Sequence, residues 1–303
     1  MTDYINLFIN NLLPIFLAAG AGFLLSQWLP IDPKTLSSIT FYIFSPCLVF
    51  TLLTQSQLSY LELFNIILFT IACFCVIGLL TWFLGRSFRL ERTTLAAVMI
   101  TAMFMNAGNY GLPATSFAFG EKALAYASLV FVTNAVLTNT AGVVIVSMGS
   151  SGFKRALKNL ITLPTLYGLI LAIIFMQTGW AIPLPIERTA KILGDASIPA
   201  LLVMMGIQFH SIQLKGKIKP LTLASAMRLL VGPIVALLLS PIFGLHGPAR
   251  QAAVLESAMP TAVITTVLAT QFDTEPSFVS AVVAITTILS IVTLTPLLAL
   301  LGG

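Results

Sequence analysis

Charge is what this sequence has least of. Only 8% of its 303 residues are Asp, Glu, Lys or Arg, while 58% are apolar; a soluble domain carries about 25% charged residues. So few charges cannot cover the surface of a water-soluble fold. Cysteine is scarce too: Cys47, Cys73 and Cys75 all fall in apolar stretches, which excludes a disulfide framework and leaves them as small buried hydrophobes. The two histidines, His210 and His246, have no metal-ligand spacing, so no metal is expected. No Gly-x-x-x-x-Gly-Lys-Ser/Thr pattern is present, nor any loop longer than about 15 residues, which excludes an ATP-driven pump.

What is there in quantity is apolar sequence in runs of roughly 20 residues, each long enough to cross about 30 Å of hydrocarbon. Helices are predicted at about 4–29, 35–54, 60–84, 93–118, 122–148, 159–179, 186–209, 219–240, 249–271 and 276–301, ten in all. The first lacks a basic leader and outlasts the 7–15-residue core of a signal peptide, so it reads as a mature span. The expectation is an all-α membrane protein of ten transmembrane helices.

The net charge of +5 reports orientation in a bilayer rather than nucleic-acid binding. Alternate loops hold Lys34; Arg86, Arg89 and Arg92; Lys154, Arg155 and Lys158; and Lys215, Lys217 and Lys219, together ten of the 15 basic residues. Lys122, Arg188, Lys191 and Arg250 fall on the other side. The positive-inside rule makes the first group cytoplasmic and puts both termini outside a bacterial inner membrane or its equivalent. The last cytoplasmic loop, with Asp273 and Glu275, adds nothing to this bias.

The halves of the chain repeat at an offset of about 150 residues. Asn11-Leu12-Leu13-Pro14 returns as Asn159-Leu160 followed by Pro164, Trp28-Leu29-Pro30 as Trp180-Ala181-Ile182-Pro183, and Ser45-Pro46-Cys47-Leu48-Val49 as Ile198-Pro199-Ala200-Leu201. Residues 1–150 and 151–303 thus form two five-helix units. Five is odd, so the second unit enters from the opposite side: two inverted repeats, the organisation of secondary transporters.

Proline or glycine within a span frees backbone groups that lipid cannot satisfy, so such breaks belong where they line protein or a cavity. The fourth helix carries Met105-Asn106-Ala107-Gly108-Asn109-Tyr110-Gly111-Leu112-Pro113, and its counterpart, the ninth, carries Glu256-Ser257-Ala258-Met259-Pro260-Thr261-Ala262. Pro113 and Pro260 are expected near the first turn of a second half-helix, whose free N–H groups attract a carboxylate. Asn106 and Asn109 add amide donors and acceptors, with Gly108 between them. The alternative is that both asparagines only satisfy carbonyls freed by a kink.

These motifs carry a resemblance. Asn106 to Pro113, the Met259-Pro260-Thr261-Ala262 stretch, the Pro-Leu pattern at Pro46 and Pro199, and the basic loop at Lys154 to Lys158 together resemble the auxin efflux carrier family, which includes plant auxin carriers and bacterial malonate and malate carriers. The resemblance implies a scaffold of helices 1, 2, 6 and 7, a transport domain of helices 3–5 and 8–10, and crossing of the broken helices 4 and 9 at their prolines. It implies a homodimer through the scaffolds and elevator-like movement of a small organic anion, without cofactor. Asn106, Pro113 and Pro260 match the crossover positions, Thr261 falls in the matching ninth-helix stretch, and Thr133 and Asn134 on the fifth helix lie where substrate contacts are implied. The chain lacks the long hydrophilic loop of many plant members, so control through such a loop does not carry over, and auxin itself gains little support as substrate.

A charge at mid-membrane costs at least about 2.5–3.5 kcal/mol, which makes buried ionisable residues functional candidates. Glu256, four residues before Pro260, is the first candidate for proton or sodium coupling, and Asp195, just before Ser197 and Pro199, the second. Arg228 pairs with a carboxylate or an anion, or snorkels to the cytoplasmic face. Glu62 reads as a headgroup-level residue, and Trp28, Trp82 and Trp180 as an interfacial belt. An anion channel is the alternative function. An intramembrane protease shares the Gly194-Asp195 dipeptide but needs a second carboxylate motif that is absent, so no enzyme is expected.

Overall fold

The computed structural model describes residues 2–56, 58–147, 161–209 and 218–302. Lys154, Arg155, Lys158, Asn159, Leu160, His210, Lys215 and Lys217 lie outside these. Among the described residues the fold is all helix, with one isolated antiparallel bridge between Met105 and Thr261. Among the described residues seven helices are long and apolar enough to cross a membrane: α1 (Tyr4–Trp28), α2 (Pro33–Gln55), α3 (Tyr60–Ser87), α5 (Ala107–Val146), α7 (Leu184–Phe209), α8 (Ile218–Leu239) and α11 (Pro276–Leu301). Between them lie the shorter α4 (Arg92–Met103), α6 (Pro164–Thr178), α9 (Gly247–Ser257) and α10 (Ile264–Gln271).

The two helices expected to be broken, at about 93–118 and 249–271, are interrupted by residues 104–106 and 258–263. The expected boundary between the fourth and fifth helices is a sharp joint within one helical run: α5 runs 40 residues, roughly 60 Å if straight and about twice the hydrocarbon thickness. Gly120 turns it, with φ 73° and ψ −169°, a conformation open to glycine at little cost.

Proline writes a second regularity into the chain. Four of the five described π turns, Phe8–Leu12, Thr40–Phe44, Ala107–Gly111 and Met227–Val231, end two residues before Pro14, Pro46, Pro113 and Pro233; Thr138–Gly142 has no such proline. A proline ring clashes with the carbonyl four residues earlier and offers no N–H. A widened turn gives the ring room without ending the helix.

Packing relies on close backbone approach. α1 lies along α7, and α2 lies against α6 and the start of α7. Gly22 faces the carbonyl of Val203, Gly206 the carbonyl of Ala19, Gly168 the carbonyl of Pro46, and Gly194 the Cα of Leu48. At the centre of this layer the hydroxyls of Ser45 and Ser197, 152 residues apart, meet at 3.3 Å. The other large contact is α9 along α5. Leucine, isoleucine and phenylalanine side chains stay exposed along the outer faces of α1, α3 and α11, and the three tryptophans are exposed near helix ends. A belt of that kind suits contact with lipid.

A Cβ on Gly206 would fall 1.7 Å from the Ala19 carbonyl oxygen, whereas one on Gly20 meets nothing within 4 Å. Gly206→Ala should therefore cost about 1–3 kcal/mol by overpacking, read as a lowered melting temperature in detergent. Gly20→Ala should leave melting unchanged or raise it slightly.

Candidate functional site

Two interrupted helices cross at the middle of the fold. α4 ends at Met103 and α9 at Ser257, and the gaps beyond them lie antiparallel. The Ala262 N–H donates to the Phe104 carbonyl at 3.0 Å, and the Asn106 N–H donates to the Pro260 carbonyl at 2.8 Å. Each gap thereby satisfies backbone groups of the other, which lipid could not do.

Side chains take up the remaining freed groups. Thr261 donates its hydroxyl to the Thr101 carbonyl at 2.7 Å, and its N–H is received by the Thr286 hydroxyl at 3.1 Å. Asn134 donates its amide to the Met105 carbonyl at 3.0 Å. Arg228, 1% exposed, reaches three carbonyls: Ala102 at 3.0 Å and Met103 at 3.3 Å at the end of α4, and Ser257 at the end of α9. The negative ends of two helix dipoles thus meet one guanidinium. Snorkelling of Arg228 to the cytoplasmic face is excluded by this burial.

The positive ends open on the other side of the crossing, into a cavity of about 410 Å³. Ala107, Gly108 and Asn109 bring the first turn of α5 to it, Val263 and Ile264 the start of α10, and Pro164 and Thr165 the start of α6. First-turn N–H groups have no acceptor within their own helix. Among the described lining residues none carries a charge; the polar ones are Ser37, Tyr42, Asn106, Asn109, Asn134, Thr138, Asn139, Thr162, Thr165 and Gln208. The Asn106 amide nitrogen and the Thr165 hydroxyl are buried there without a hydrogen-bond partner. Asn109 donates across the cavity to Gln208 at 3.2 Å.

Of the residues singled out in sequence, Asn106, Gly108, Asn109 and Asn134 come together on this wall. Gly108 leaves no room for a side chain, since a Cβ would lie 2.9 Å from the Phe131 ring. Thr133 does not reach the cavity; its hydroxyl bonds the Leu129 carbonyl at 2.8 Å within α5. Pro260 and Thr261 hold the crossing. Pro113 lies in the first α-helical turn after the π turn that begins α5, and Pro260 in the gap just before α10. The run Gly108 to Gly111 supplies the widened turn that accommodates the Pro113 ring.

Glu256 is wholly buried but does not line the cavity. One carboxyl oxygen accepts from the Thr115 hydroxyl at 3.3 Å and the other has no partner. It presses so closely on Gly111 that a Cβ there would fall 2.0 Å from it. Asp195 stands apart, its side chain 62% exposed and paired with Lys191 at 3.5 Å on the same helix. Glu62 closes a capping box with Ser59 at the start of α3 and accepts from the Tyr126 hydroxyl. Sequence reasoning missed Gln208 and Thr165. Both left a signal, a lone amide late in an apolar span and a threonine just after a proline at a helix start.

A model of the membrane transport protein family matches residues 7–155 and again residues 150–298. The chain belongs to that family, which contains the auxin efflux carriers. It is 27% identical to an uncharacterized transporter of Methanothermobacter thermautotrophicus, over 87% of each chain. It is also 27% identical to a proposed malonate transporter of Rhizobium meliloti, over 88% of this chain and 86% of that one. An Arabidopsis thaliana auxin efflux carrier component is 26% identical, over 42% of this chain and 21% of that one. The protein is a multi-pass membrane transporter.

Two asparagines on one wall should behave oppositely on truncation. Asn134→Ala orphans the buried Met105 carbonyl and should cost about 1–3 kcal/mol of stability. Asn106→Ala removes an amide nitrogen that already lacks a partner and should shift the melting curve by no more than about 0.5 kcal/mol. Thermal melts of the two variants in detergent measure the contrast.

Proposed function

We propose that this transporter is a secondary carrier of a small organic anion, a mono- or dicarboxylate, with the crossing as its binding site. One observation carries the reading: three helix N-termini and an unpartnered buried amide, Asn106 Nδ2, converge on a cavity whose described lining has no charged side chain. Converging N–H dipoles favour negative charge without paying to bury a lysine or arginine. The cavity volume of about 410 Å³ falls in the roughly 300–1,000 Å³ range of small-molecule sites. That a relative is named for malonate agrees with this class of substrate.

On this reading the chain comprises ten transmembrane helices, helix 4 being α4 with the first arm of α5 and helix 9 being α9 with α10. Two inverted five-helix repeats account for the duplicate family match and for mirrored contacts: Ser45 against Ser197, and the paired bonds joining Phe104 to Ala262 and Asn106 to Pro260. The glycine-cemented layer of α1, α2, α6 and α7 serves as the scaffold and dimer interface. The remaining helices form the part that moves, elevator-like, and the cavity lies between the two. Positive-inside bias sets both termini outside an inner membrane or its equivalent. Glu256 is the residue proposed to couple transport to an ion, while Asp195, exposed and already paired, is the weaker candidate.

The test is uptake of labelled malonate, malate and indole acetate into proteoliposomes, under a pH gradient, a sodium gradient or preloaded anion. Saturable, exchangeable uptake is expected for a carrier; unsaturable flux without exchange would indicate a channel and overturn the reading. Asn106→Ala and Asn109→Ala should abolish saturable uptake while the purified proteins remain folded.

A further inference from the structure

Transporters built on broken helices bind coupling sodium through unwound carbonyls and the C-terminal ends of half-helices. In this chain those groups are engaged. The carbonyls of Ala102, Met103 and Ser257, which end α4 and α9, all accept hydrogen bonds from the guanidinium of Arg228. Arg228 comes from outside both half-helices, projecting from the π turn of α8 that precedes Pro233. It is tethered by the fold and cannot exchange with solvent as an ion does. Its remaining space is small: the pocket beside it, bordered by Thr70, Cys73 and Asn134, holds about 10 Å³, scarcely one water. The guanidinium borders that space, so a second cation placed there would face a positive charge. Gly232 is held equally tightly, since a Cβ there would come within 2.9 Å of the guanidinium.

We propose that Arg228 is a resident cation occupying the carbonyl cluster that a coupling sodium ion would need, so the crossing takes no sodium and Arg228 positions the two half-helices in its place. The proposal rests on the reading of the crossing as a transport site, and it narrows the coupling choice left open there by removing sodium at this cluster. A guanidinium bridging both helix ends keeps the crossing charge-balanced at all stages of transport. A sodium ion would do so only when bound.

The test does not require a known substrate. Purified wild-type protein is melted in detergent in sodium chloride and in choline chloride at equal ionic strength, and retention of radioactive sodium is measured alongside. The wild type should melt identically in both salts and retain no sodium above background. Arg228→Ala, which empties the cluster, should melt lower in choline and rise by at least about 2 °C in saturating sodium; Arg228→Lys, which keeps a cation, should stay insensitive. Saturable sodium binding or stabilisation in the wild type would overturn the proposal, as would a folded Arg228→Ala that ignores sodium. Should Arg228→Ala not fold, the wild-type measurements alone decide. Failure of anion uptake with a sodium-insensitive wild type would count against the substrate reading and leave this one standing.

Discussion

The structure depends on two backbone hydrogen bonds, Asn106 N–H to the Pro260 carbonyl and Ala262 N–H to the Phe104 carbonyl. Two helices break at the middle of an apolar fold, where each unsatisfied peptide group costs several kcal/mol. Breaking is tolerable only because each gap completes the other. The same act sorts the polarity of the fold: the two C-terminal ends face Arg228, and N-terminal ends face the cavity together with that of α6.

Under the proposed reading, that sorting is what lets a pocket with no charge in its described lining take an anion: with the cationic side chain held away from the cavity, only helix dipoles and amides face it. Glu256 lies against the Gly111 backbone and Thr115 in the first turns of α5, without lining the cavity. A change in its protonation would therefore act on the crossing through that helix.

Much of this was legible in sequence because proline and glycine act locally. Pro113 and Pro260 marked the broken helices, Asn106 and Asn109 the polar wall, and the repeated Ser-Pro and Ile-Pro motifs the layer where Ser45 meets Ser197. What was not legible depends on long-range partners. Arg228 bonds carbonyls, which look alike whatever the side chain, at positions 126 and 29 residues away. Gln208 meets Asn109 across 99 residues. The joint at Gly120 falls in the gap expected between the helices at about 93–118 and 122–148, and Asp195 lies in a segment expected to be apolar, where its pairing partner, Lys191, is one helical turn away.

The central claim is that the helix N-termini at the crossing bind a carboxylate. Its most direct test is an experimental structure with malonate bound. The account expects a carboxylate within hydrogen-bonding distance of the Ala107 to Asn109 N–H groups and of Asn106 Nδ2. Malonate held elsewhere, or seated on a lysine or arginine with this cavity filled only by water, would contradict it.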